Sequence, residues 1–115
     1  MKMFVEPSDI YLHRPVVDFR KSINGLANIV VAEMNLNVMS GALFIFCNKS
    51  KDKLKILYWD KTGFALWYKR LEKQKFKWPS KINDTEFSLT AEQLSWLLSG
   101  YDVLGHQELH YQSMI

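Results

Sequence analysis

The sequence predicts a single α+β domain, a mainly antiparallel sheet of four or five strands with two helices. Three observations carry that expectation. The 115 residues are 48% hydrophobic and 23% charged with only 5 Gly and 3 Pro, the composition of a chain that folds around one core rather than a disordered or low-complexity one. Short apolar runs crowd residues 42–78, several bounded by turn residues, as strands of a meander would be. A helical period appears twice, near residues 18–34 and 90–101. No repeat or linker divides the chain, so one domain is expected over residues 1–104, with a flexible tail over residues 105–115.

The first strand is expected at Ile10-Tyr11-Leu12, ending at His13-Arg14-Pro15 because Pro15 has no amide for a ladder. From Asp18 the period changes. Ile23, Leu26, Ala27, Val30 and Met34 fall on one stripe of an amphipathic helix, and Asp18 stands where it could cap the first turn. Gly25 inside that helix costs about 1 kcal/mol against Ala, which a close approach of helix to sheet would explain. Ala42 to Cys47 is apolar on both faces, the pattern of a central strand. Leu54 to Trp59 and Phe64 to Tyr68 follow as two antiparallel strands. Asp60-Lys61-Thr62-Gly63 joins them, with Gly63 suited to the left-handed position of a three-residue loop. Phe64, Trp67, Tyr68 and Leu71 also fit helical spacing, but the aromatic enrichment and the preceding turn favour a strand. Lys75-Phe76-Lys77-Trp78 alternates charge and aromatic ring and predicts another strand, stopped by Pro79. A loop is expected over residues 80–86. Thr90-Ala91-Glu92-Gln93 reads as a capping box that opens a second helix, with Leu94, Leu97, Leu98 and Tyr101 as its stripe and Gly100 as its C-terminal cap.

The net charge of +3 hides an asymmetry. Residues 49–81 hold eleven of the fifteen basic residues against three acids, a segment of +8, while the remainder sums to −5. A basic centre between acidic ends suggests a polyanionic partner. Alternating lysines at 51, 53 and 55, and again at 73, 75 and 77, would in strands set charge at roughly 6.5 to 7 Å intervals, close to the phosphate spacing of a nucleic-acid strand. Trp59, Trp67, Trp78, Tyr58, Tyr68, Phe64 and Phe76 lie in the same stretch, and an exposed aromatic among lysines can stack on an unpaired base. Two readings stay open for the lysines, since alternating Lys also protects sheet edges. For the tryptophans the core is the favoured place.

Enzyme chemistry has no positive support in the residues. A nuclease-type site needs several carboxylates converging on metal ions, whereas Asp18 reads as a cap and Asp60 as a turn residue. His106 and His110 share helical spacing but lack the Glu of a zinc-protease motif and fall in the expected tail. His13 has no partner identifiable from sequence. One cysteine, Cys47, ends an apolar strand, the place of a small buried thiol; it cannot form an internal disulfide, and the cytosol is the expected compartment. No run approaches the ~20 apolar residues of a membrane span, no signal-peptide pattern opens the chain, and no phosphate-binding glycine loop is present.

The run Ile56-Leu57-Tyr58-Trp59-Asp60-Lys61-Thr62-Gly63-Phe64, then Leu66-Trp67-Tyr68-Lys69-Arg70-Leu71-Glu72 and Phe76-Lys77-Trp78-Pro79, resembles the small accessory (Orf2-like, TnpB) proteins of the insertion-sequence-66 family of bacterial transposons. The resemblance extends to Asp18-Phe19-Arg20-Lys21, Asn24-Gly25-Leu26, Ser40 to Phe46, Leu89 to Leu94 and Leu97 to Gly100, and so covers roughly residues 9–102. Matched motif positions include Asp18, Arg20, Lys21, Gly25, Trp59, Asp60 and Gly63, together with Lys69 and Arg70. Two positions depart from the pattern, Ser22 and Gln74, where the family commonly has Gly. The resemblance implies a non-catalytic protein that works beside a separate, larger transposase, distinct from the RNA-guided nucleases that share the TnpB label.

Together these readings predict an accessory factor in DNA transposition, with no cofactor and no metal. Lys53, Lys55, Lys69, Arg70, Lys73, Lys75 and Lys77 are expected to contact DNA, largely without regard to sequence. The alternative is a protein-interaction module that docks on the transposase through exposed aromatics and leaves DNA to that partner.

Overall fold

In the computed structural model, which describes residues 9–79 and 84–103, seven elements follow in the order β1 (Ile10–His13), α1 (Ile23–Ala32), β2 (Leu43–Cys47), β3 (Lys53–Asp60), β4 (Gly63–Arg70), β5 (Glu86–Ser88) and α2 (Ala91–Leu98). The strands form one sheet in the order β4-β3-β2-β1-β5. The β2-β3-β4 meander and the β1–β5 pair are antiparallel; β1 and β2, joined through α1, are parallel. The α+β class with two helices therefore holds, in a sheet that is mixed. The expected tail at residues 105–115, with His106 and His110, lies outside the described residues.

The sheet is covered on both faces, and strand alternation sorts the side chains. Ile10, Leu12, Leu43, Ile45, Cys47, Leu54 and Ile56 pack toward α2, with Leu94, Leu97, Leu98, Phe76 and Trp78. Phe44, Phe46 and Leu57 pack toward α1, with Leu26, Ile29, Val30 and Met34. Every residue of β2 is buried, which is why its sequence is an unbroken apolar run and not an alternation.

Several local expectations are corrected. Helix α1 begins at Ile23, not at Asp18. Its N-cap is Ser22, whose side chain makes no capping bond. Asp18 lies four residues earlier and accepts instead from the Arg20 backbone N–H at 2.9 Å, a local turn that out-competes a distant helix end. The space beside Gly25 is taken not by the sheet but by the Lys21 side chain, whose Cβ would stand 3.0 Å from an added methyl. In the β3–β4 hairpin the left-handed residue is Lys61, at φ 56; Gly63 pairs with Asp60 as the first residue of β4, so the loop is two residues long.

No ladder forms at residues 75–78. Phe76 and Trp78 are buried and Lys75 and Lys77 exposed, so the alternation reported inside and outside correctly. The backbone, however, crosses the end of the sheet as a strap: Leu71 N–H donates to Asp52 O, Phe76 N–H to Lys51 O, and the Trp78 indole to Arg14 O at 2.7 Å. The fifth strand is instead β5, at the end of the segment expected to be a loop, paired with β1. The capping box of α2 is present, and Gly100 at φ +89 closes a Schellman turn through its N–H to Leu97 O and that of Tyr101 to Trp96 O.

A candidate nucleic-acid interface at the basic end of the sheet

β3 starts and β4 ends at one extremity of the sheet, where Lys53 pairs with Arg70 and Lys55 with Tyr68. Leu57 and Leu66 on these strands face α1, so by alternation Lys53, Lys55, Tyr68 and Arg70 lie on that face too. Tyr68 is 48% exposed. Lys53 also lines an open groove of about 560 Å³ with Val16, Val17, Phe19, Arg20 and Lys49. The 48–53 turn that holds it is tied by Asn48, which donates to Asp52 at 2.8 Å and accepts from the Lys53 backbone N–H at 3.0 Å.

Lys55 brings the Asp18-Phe19-Arg20-Lys21 segment onto this surface. Its ammonium donates to Phe19 O at 3.1 Å and Lys21 O at 2.9 Å and sits 4.7 Å from the Phe19 ring centroid. Its pKa is lowered by burial. Lys55 is therefore a tether first, and what it positions is the cationic pair Arg20 and Lys21. Arg20 is bound fork-to-carboxylate by Asp18 at 2.6 Å. That hydrogen bond holds the Asp18 carboxyl down at about 2, and the Arg20 side chain stays 92% exposed.

The seven cations expected to contact DNA separate by role. Lys53 and Arg70 share the α1 face, each beside an acid, Asp52 and Glu72. The Arg70–Glu72 pair is exposed, contributes little and yields readily to a phosphate, whereas Lys53 and Asp52 are both half-buried and stand 3.4 Å apart. Lys69 leaves the opposite face and donates to Leu98 O at 2.8 Å, satisfying an orphan carbonyl at the end of α2. Lys73, Lys75 and Lys77 are exposed on the strap that passes Lys51 and Asp52, so they stand near the same end of the sheet but outside any strand row.

Sequence reasoning did not place Arg20, Lys21 or Lys49 among the contact residues, and it named Tyr68 only as one of several aromatics of the basic stretch that could stack on a base if exposed. Tyr68 was legible, since it stands two residues from Arg70 in a strand. Arg20 and Lys21 are far from Lys53 in the chain, and only the fold joins them. Of the remaining motif positions, Trp59 packs edge-on against Phe64, centroids 5.0 Å apart, and Asp60 and Gly63 close the hairpin. Cys47 is fully buried, and desolvation pushes its thiol up to about 12, a small core residue rather than a nucleophile. His13, also buried, lies 3.2 Å through Nε2 from the Glu33 carboxylate. Among the described residues no group of His, Cys, Asp and Glu stands together as metal ligands would, and no helix is long and apolar enough to cross a membrane.

Fold and surface define a small α+β domain with a cationic sheet end. Comparison with known proteins then assigns the lineage. The model of the IS66 Orf2-like protein family matches residues 8–108, and the chain belongs to that family, which ties it to the transposition of IS66 insertion sequences as an accessory protein. Two similar proteins, both of Sinorhizobium fredii (strain NBRC 101917 / NGR234), bear the names uncharacterized protein y4jC and uncharacterized protein y4hO. Protein y4jC is 36% identical over 86 residues, 75% of this chain and 73% of that one. Protein y4hO is 37% identical over 91 residues, 79% and 78%. No solved structure matches.

Proposed function

We propose that this protein assists IS66 transposition by binding DNA phosphates, largely without regard to sequence, through the basic end of its sheet. The observation that carries this reading is that Arg20, Lys49 and Lys53 line one open groove, with Arg70 paired beside Lys53 and Lys21 held next to Arg20 by Lys55, cations drawn from three separate stretches of chain. Tyr68, exposed among them, offers a ring on which an unpaired base can stack. Lys73, Lys75 and Lys77 on the strap extend the positive surface around the sheet end. Contacts of Lys and Arg with phosphates are electrostatic and position the protein on DNA without selecting a site.

Docking on the transposase through exposed aromatics has less support. In the basic segment Trp78 is buried and Trp59 and Trp67 are half-buried, leaving only Tyr68 exposed. The deciding experiment measures binding of duplex and single-stranded DNA across a salt series, with this protein and the element's transposase separately and together. The reading requires that this protein alone bind at low salt with a steep salt dependence. Absence of binding to either DNA form at low salt overturns it, and a complex with the transposase that survives high salt would then favour the docking alternative.

A further inference from the structure

The groove at the basic end of the sheet is not lined by charge alone. Beside the cations Arg20, Lys49 and Lys53 it is lined by Val16, Val17 and Phe19. Val17 is buried, Phe19 half-buried and Val16 40% exposed. A phosphate gains nothing from these three side chains, and pressing an ion against apolar surface costs free energy, so phosphate binding by the cations leaves the apolar lining without a use. Asp18, the acid of the lining, is already held by the Arg20 guanidinium. Both stretches of chain that form the groove are fixed. Val17 N–H donates to Cys47 O at 2.9 Å, and the Lys55 ammonium holds Phe19 O at 3.1 Å. Asn48 closes the 48–53 turn through its bonds with Asp52 and with the Lys53 backbone. The groove measures about 560 Å³, within the roughly 300–1,000 Å³ of small-molecule and cofactor sites.

We propose that this groove takes an unpaired nucleotide of a DNA strand, its base against Val16, Val17 and Phe19 and its flanking phosphates on Arg20, Lys49 and Lys53, so that the protein prefers single-stranded DNA to duplex. The preference rests on the phosphate-binding reading above and adds to it the form of DNA that is bound. Apolar and cationic side chains in one recess select this occupant. In a duplex both faces of every base are covered by stacking, and what meets a protein is the phosphate backbone and the base edges. A duplex therefore satisfies the cations and leaves Val16 and Phe19 in water. An unpaired nucleotide joins a ring face to an anion through one sugar and matches both kinds of lining. Arg70, paired with Lys53, and Lys21, next to Arg20, extend the charge beyond the groove, which suits a continuous polyanion better than an acidic peptide. Tyr68, across the strand pair from the Lys55 that holds Phe19, offers a ring to a neighbouring base.

Fluorescence anisotropy of the full chain at one low salt concentration, with three labelled probes of equal length, tests this: an oligothymidine, which does not pair with itself, an abasic single strand that keeps the phosphates and lacks the bases, and a duplex. The oligothymidine is expected to bind about tenfold more tightly than either, the effect of one stacked base, although the duplex carries the denser charge. Equal affinity for oligothymidine and abasic strand, or a duplex bound as tightly as oligothymidine, overturns the proposal and leaves phosphate binding in place; no binding of any probe overturns both readings. Val16→Ser removes apolar surface at an exposed position without changing charge. It is expected to bring the affinities for oligothymidine and abasic strand together, and an unchanged ratio overturns the proposal. Amide chemical shifts of the unaltered protein locate the site without a variant. Oligothymidine is expected to shift residues 16–20 and 48–53, and shifts confined to other residues overturn the placement. If the transposase shifts those amides and oligothymidine does not, the groove is a peptide site and the proposal fails.

Discussion

Lys69 and Arg70 are adjacent in the chain and leave opposite faces of β4, so their removal should read out differently. On the proposed reading Arg70→Ala takes away a phosphate contact while losing only an exposed pair with Glu72. It should weaken binding to all DNA sequences alike, lower the salt slope by about 1 and leave stability nearly unchanged. Lys69→Ala loses the bond to Leu98 O and should cost about 1 kcal/mol in urea denaturation with little change in DNA affinity. Asp18 offers a pH test. Its folded carboxyl titrates at about 2, held down first by the hydrogen bond from the Arg20 side chain. A depressed folded value means the Asp18–Arg20 interaction contributes fully above pH ~4, the unfolded value, and is lost as pH falls through about 2. A carboxyl signal for Asp18 with its NMR midpoint near 4 would show that the pair does not persist in solution.

At the scale of elements, α2 and α1 show where local sequence suffices. The first turn of α2 is closed by Thr90 and Gln93 bonding each other's backbone at 3.0 and 2.9 Å, and its last turn by Gly100 at φ +89. Both devices lie within a few residues of the helix they end, which is why the capping box and the Gly were readable before any fold was known. Thr90→Ala should cost about 1 kcal/mol. Gly100→Ala should cost at least as much, since it forces a left-handed backbone on Ala and brings a methyl 3.2 Å from Gln74 Oε1; thermal unfolding of the two variants checks both. α1 has no such cap, so its start could not be found by looking for one, and Asp18, a good cap by type, was already engaged with Arg20. The strap at residues 71–78 failed for a related reason. Alternation records which side chains point inward, but whether a backbone joins a ladder depends on the strand beside it, and Phe76 N–H finds Lys51 O at the end of the sheet.

The whole molecule is a sheet with helices on its two faces and a concentration of positive charge at one end. An interface of that kind predicts that log affinity for duplex DNA falls linearly with log salt, with slope about −0.9 for each phosphate neutralised. If the basic end acts as one surface, Lys53→Ala, Arg20→Ala and Arg70→Ala should each reduce that slope by about 1 and together add. A slope unchanged in the triple variant would move the contact to another part of the surface. Charge-neutral changes on the far side of α1, such as Val31→Ala, should leave the slope as it is.

By itself the sequence determined the class of fold, the core strand Leu43–Cys47, the β3–β4 hairpin, the ends of α2, the +8 charge of the middle segment and the motif block that marks the family. All of these are written in neighbouring residues, through periodicity, capping pairs and composition, and need no knowledge of what lies across the fold. Tertiary structure alone decided that β1 runs parallel to β2, that β5 and not residues 75–78 supplies the fifth strand, and which cations share a face. Those outcomes depend on contacts between residues far apart in the chain. The Lys55 ammonium held on Phe19 O and Lys21 O is the plainest case: a lysine that reads in the sequence as one of a row of free charges is spent fixing where Arg20 and Lys21 present theirs.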